Sequence, residues 1–252
     1  MPTRTSSLLS LIVFVAFAAI AVVVVLASRQ ERPSVNLQEE NDSRKRARIE
    51  RMERDVNTLP EAVYETVEGP DWQLRKLKSR RYDAGNKPFE DLENGTEKTK
   101  LYCAWGAPEL EPFPAQESTA IVIGTVTDAK GYISEDKTAA YSEYAVNVTE
   151  ILKDGEKLKG RSIIAEREGA KVVLSDGRRY RYSVLNQGTP QKGHRYMFFL
   201  KDAPEGKDYF VLTGYELLNG RVTPLDSISG KYESFDGADE NAFIEIVRLS
   251  AK

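Results

Sequence analysis

STAIVIGTVTDA, residues 118–129, alternates Ile121, Ile123 and Thr125 against Ala120, Val122 and Val126. That period of two sends successive side chains to opposite faces of a strand. The same character continues downstream. SEYAVNVTEIL (142–152) puts Tyr144, Val146 and Val148 on one side and shifts register near Glu150, as a bulge does. Shorter strands follow at 161–167, 171–176 and 178–185, the last two separated by a turn at SDG. HRYMFFL (194–200) and DYFVLTGY (208–215) are rich in aromatic and β-branched residues. LLNGRVTPL (217–225) carries Asn219-Gly220, a hairpin signal because both residues tolerate positive φ. Seven or so short strands with glycine-bearing turns, and no strand–helix rhythm, predict a mainly β fold built as a closed or nearly closed antiparallel barrel.

Working outward, the tail GADENAFIEIVRLSAK predicts a helix over 239–250. Asp239 is its cap and Ala242, Phe243, Ile246 and Val247 form an apolar stripe that covers the barrel. Upstream, 61–117 is a mixed lead-in region. A short helix within 71–84 has Trp72, Leu74 and Leu77 as its apolar positions, and 101–114 is an apolar patch ending in prolines. Residues 28–60 form a polar tether and an amphipathic helix, with Ile49, Met52, Val56 and Leu59 on one side and Pro60 as the stop. The basic run RKRAR at 44–48 is interleaved with acids and reads as a solvated face.

The front of the chain differs from all this. After a leader over 1–7, residues 8–27 are apolar except for Ser10, enough for a helix of roughly 30 Å, the thickness of bilayer hydrocarbon. A cleaved signal peptide ending near Val25-Leu26-Ala27 is the alternative, although its apolar core is usually shorter. The expectation is a transmembrane helix acting as a signal-anchor, with the lipid bilayer as partner for 8–27 and a single-pass cell-membrane localisation. A short leader before a large module is the common exported layout and places the C-terminal domain outside the cytoplasm. The basic residues after the span, from Arg29 onward, run mildly against it.

The middle of the chain resembles the netrin-like group of OB-type barrels, which includes the tissue inhibitors of metalloproteinases. Gly124 and Val126 match its first strand; Val148, Leu152 and Lys153 match its second; Gly193, Tyr196 and Phe199 match a later one. The likeness covers 118–225 and implies an OB-fold. Those domains are laced by disulfides, and the inhibitors among them place an N-terminal Cys-x-Cys on zinc. This chain of 252 residues has one cysteine, the internal Cys103, so the resemblance implies a fold and not protease inhibition.

Composition excludes much chemistry. A net charge of −3 makes no electrostatic case for nucleic acid. One cysteine and one histidine, His194, make neither an internal disulfide nor a structural zinc site. No phosphate-binding glycine loop or dinucleotide fingerprint is present, and the acidic stretches 134–137 and 236–240 lack calcium-loop order. No catalytic, cofactor-binding or metal residue is assigned, and no cofactor is expected. Tyr132, Tyr141, Tyr144, Tyr180 and Tyr182 are candidates for an aromatic binding face. The expected function is a membrane-anchored, non-enzymatic binding or scaffolding module of the cell envelope, with a protein or envelope partner. The alternative is an envelope hydrolase using a carboxylate pair drawn from Glu166, Glu168, Asp176 and Asp202.

Overall fold

A computed structural model describes residues 57–64, 72–92, 98–102, 111–153, 158, 162–184, 186–204, 208–226, 232 and 234–251, with Arg46 and Glu50. The chain divides into two compact units, Met1–Ile49 and Glu50–Lys252, and the described residues belong almost entirely to the second. Its elements are β1 (Glu61–Val63), α1 (Trp72–Arg80), a 3-10 turn (Phe89–Asp91), β2 (Lys98–Tyr102), β3 (Ala120–Ile133) and β4 (Ala140–Lys153). There follow β5 (Ser162–Glu168), β6 (Ala170–Val173), β7 (Arg179–Val184), β8 (Arg195–Asp202), β9 (Tyr209–Leu218), β10 (Arg221–Pro224) and α2 (Glu240–Ser250).

The strands lie in two mixed sheets. The larger runs β10-β9-β5-β4-β3-β8, with β9 also pairing β8, and the smaller runs β1-β6-β7-β2. Parallel pairs occur at β5–β9, β1–β6 and β2–β7. The small antiparallel OB-like barrel expected over 118–252 is corrected accordingly. Residues 170–184 leave the main sheet to pair with β1 and β2 from upstream, so 118–225 is not one self-contained antiparallel unit. The mainly β character stands; the barrel and the OB-fold reading do not.

The membrane expectation is also corrected. No helix among the described residues is long and apolar enough to cross a membrane. Residues 1–7, the 8–27 span and most of the tether and amphipathic helix of 28–60 lie outside the described residues, as does Cys103. The transmembrane helix, the bilayer partner and the single-pass localisation therefore find no support in the structure.

β3 shows why its alternation has no polar side. Ala120, Val122 and Val126 enter one core with Val146, Ala165 and Phe198, while Ile121 and Ile123 enter another with Met197, Phe199 and Tyr215. The second core exists because α2 covers that face with Phe243, Ile244 and Val247. Ile244 takes the buried place expected of Ile246, which stands exposed. Asp239 starts the helix by accepting from the Ala242 N–H at 3.0 Å, satisfying an otherwise orphan donor. Phe113 joins the same core, its ring against Phe199, Tyr215, Phe235 and Phe243. A third core, around Phe89, Val172, Tyr180 and Tyr182, belongs to the smaller sheet. Asn219 and Gly220 have φ of 53° and 72°, the turn that lets β9 fold directly back on β10.

Candidate functional site

β4 and β5 pair antiparallel, and the register sets Glu143 directly opposite Glu166. Opposite residues in such a ladder share a face, so two carboxylates meet on one rung, a destabilising placement unless cations join them. Asp208 arrives from the residue before β9, whose Tyr209 and Phe210 run parallel to Ala165 and Glu166. One oxygen from each of the three acids lies within 4.8 Å of the others. All three are buried, Glu166 to 1% exposure.

The cations come from α1 and the residue after it. Lys78 Nζ donates to Glu143 Oε1 at 2.8 Å, lies 3.2 Å from Glu166 Oε1 and contacts Asp208 Oδ2. Arg75 forks onto Glu143, Nη1 to Oε1 at 2.6 Å and Nη2 to Oε2 at 3.3 Å. Arg81 Nη1 and the Tyr82 hydroxyl each donate to Glu166 Oε2 at 3.1 Å. Stacked tyrosines flank the cluster: Tyr82 and Tyr132 each stack on Tyr141, with ring centroids 4.2 and 5.4 Å away, and the Arg75 guanidinium sits 3.6 Å from the Tyr132 ring.

The two glutamates differ in proton affinity although they share a rung. Burial pushes both carboxyls up. For Glu143 the hydrogen bonds and charges of Arg75 and Lys78 outweigh burial, and its affinity falls below the ordinary carboxylate value. For Glu166 burial outweighs Lys78 and Arg81, with Asp208 adding to the upward push, so its affinity rises. Lys78 is held charged, well above the usual lysine range: burial works against its charge, and hydrogen bonds to Asp208 and Glu143 more than offset it. A permanently charged ammonium is no nucleophile. It also stands where the three carboxylates converge, so a divalent cation would enter that point only by displacing it.

Of the carboxylates singled out in the sequence, only Glu166 is brought into this cluster. Glu168 accepts from the Tyr182 hydroxyl at 2.6 Å, Asp176 binds Arg178, and Asp202 accepts from Thr119 Oγ1 at 3.1 Å. Glu143 and Asp208 were not among the candidates, because nothing local marks them. The tyrosine face is corrected too: Tyr141, Tyr144, Tyr180 and Tyr182 are core residues, and only Tyr132 is partly exposed. His194 Nδ1 lies 2.5 Å from Glu216 Oε1 at the start of β8. With the tyrosines inside and a carboxylate cluster between the sheet and α1, the purely scaffolding reading loses the surface it rested on.

No protein-family model matches the chain, and no curated protein matches it significantly, so the netrin-like resemblance is not sustained.

Proposed function

We propose that the protein is a hydrolase whose acid–base pair is Glu166 and Glu143. One observation carries this reading: two carboxylates on a single rung whose proton affinities are displaced in opposite directions. That split is how one site sets a protonated acid beside an ionised partner at a pH between the two values. Glu166 is the proton donor to a leaving group, and Glu143, held ionised by Arg75 and Lys78, is the nucleophile or charge stabiliser. An oxygen of each lies within 4.8 Å of the other, which leaves no room between the carboxyls for the water that inverting glycosidases place there, so the close pair of the retaining kind is the one it fits. Glycosides are therefore the substrate class proposed. Lys78 and Arg75 lower the cost of the charge on Glu143 and orient it.

The test is a panel of nitrophenyl glycosides with wild type, Glu166→Gln and Glu143→Gly. The reading expects turnover of at least one substrate, loss of activity in both variants, and partial rescue of Glu143→Gly by azide, a small external nucleophile. Turnover should decline as pH rises through the raised Glu166 value. No hydrolysis across the panel, or hydrolysis that survives Glu166→Gln, ends the reading.

A specific observation also favours a second reading. Arg75, Lys78 and Arg81 match Glu143, Glu166 and Asp208 charge for charge, as in an ion lock that only holds α1 to the sheet. A protein with no turnover whose stability falls sharply on Glu143→Gln would be that lock.

A further inference from the structure

Helix α1 is built inside out. Lys78 and Ser79 are its buried residues, while Trp72 and Leu77 stand 50% and 51% exposed. A helix on a globular surface ordinarily docks through an apolar stripe. No residue of α1 contributes to any of the three apolar cores found among the described residues. Its attachments include Arg75 and Lys78 on the carboxylates, Arg75 over the Tyr132 ring and onto the Tyr141 hydroxyl at 3.2 Å, Lys76 on Glu135 at 2.9 Å, and Ser79 Oγ to the Tyr141 hydroxyl at 3.3 Å. Desolvation cancels much of what buried ion pairs gain, so such a helix is held far less firmly than one docked by apolar area.

The segment after it is fixed differently. Ala84 N–H donates to Thr138 Oγ1 at 3.1 Å, Gly85 N–H to Asp136 Oδ2 at 3.0 Å, and Phe89 is fully buried in the third core. An anchored segment thus leads back into a helix held mainly by charged side chains, and the turn Arg81–Asp83 between them is itself tied to the sheet, by Arg81 and Tyr82 on Glu166 and by Tyr82 on Tyr141.

We infer that α1 is an internal latch: its cations cap Glu143, Glu166 and Asp208, and the carboxylates become reachable when α1 lifts away while both sheets stay folded. Its functional meaning rests on the hydrolase reading. The latch is a statement about local opening, and local opening is measurable without a substrate. In the closed state Lys78 occupies the point of convergence, which is why the proposed acid–base pair is buried. In the open state Glu143 and Asp208 face solvent or substrate without Lys78, while Arg81 and Tyr82, which follow α1, remain on Glu166 and the Ala84–Phe89 anchor keeps α1 nearby.

Hydrogen exchange on the full chain, read by mass spectrometry, tests this. The amides of 72–80 should exchange about a hundredfold faster than those of 141–148 and 162–168, reporting an opening that costs less than global unfolding. Equal protection of helix and strands overturns the latch. Arg75→Ala removes the half-exposed fork and keeps Lys78. It should quicken exchange over 72–80 by roughly a further tenfold and leave 141–148 and 162–168 unchanged. A parallel rise in the strands means that helix and sheet open as one unit, which also overturns it. Where α1 opens as described and neither form hydrolyses any glycoside, the hydrolase reading fails alone; where turnover occurs with no separate opening of α1, the latch fails alone.

Discussion

Replacing Lys78 by methionine keeps all but the last atom of an unbranched side chain and deletes the one charge shared by three carboxylates. Two unit charges no more than 4.8 Å apart repel by at least about 3.5 kcal/mol at the effective dielectric of about 20 that suits protein sites. Three such pairs, with only Arg75 and Arg81 left to offset them, cannot all remain ionised. Glu166, whose affinity is already raised by burial, takes up a proton. The expected loss at about pH 7 is about 3–5 kcal/mol, the usual cost of leaving a buried charge without its partner. The sign of the pH dependence follows. A carboxyl whose folded affinity is raised above its unfolded value contributes stability at low pH, and that contribution is lost as pH rises through the folded value. Lys78→Met raises Glu166 further, so its deficit against wild type should shrink on going from about pH 7 to about pH 5. Below the ordinary carboxylate range the wild type weakens for the opposite reason, as Glu143 with its lowered affinity is finally protonated. Urea denaturation of both proteins at the two pH values measures this. A loss under about 1 kcal/mol at neutral pH, or an equal loss at both, refutes the account of the cluster as a set of interdependent charges.

Other substitutions probe the rest of the fold. Asp226 accepts from Arg167 Nη2 at 2.5 and 2.6 Å, from Thr213 Oγ1 at 2.9 Å and from Gly188 N–H at 3.0 Å; Asp226→Ala strands a buried guanidinium and should cost about 3–5 kcal/mol in a chemical melt. A β-carbon on Gly188 would lie 2.0 Å from the Leu225 carbonyl oxygen, so Gly188→Ala forces the backbone apart and should cost about 1–3 kcal/mol, while an unchanged melting temperature would contradict that packing. Asp239→Ala removes the cap of α2 and should cost about 0.5–2 kcal/mol, with Asp239→Asn recovering most of it in the same thermal scan.

Much of the secondary structure is legible in the residues, and little of the site is. The alternation of 120–126 falls within β3, the Asn219-Gly220 pair makes the β9–β10 turn, and Asp239 caps α2, because each depends on chemistry within a few residues. The same local reasoning errs for α1. Trp72 and Leu77, read as apolar positions of the helix, stand exposed, while Arg75 and Lys78 turn inward onto the carboxylates. It errs again for the tyrosines, whose burial comes from strands far away in sequence.

Composition and periodicity by themselves determined that this chain is rich in strands, where most of them lie and how its last helix begins, since those are matters of backbone preference and side-chain alternation. Only the tertiary structure decided that the strands sort into two mixed sheets and that Glu143, Glu166 and Asp208 converge beneath Lys78. Pairing register sets Glu143 beside Glu166 and helix docking brings Lys78 to Glu143 from 65 positions away, and the Coulomb energy that makes them one site exists only once they are within a few ångströms.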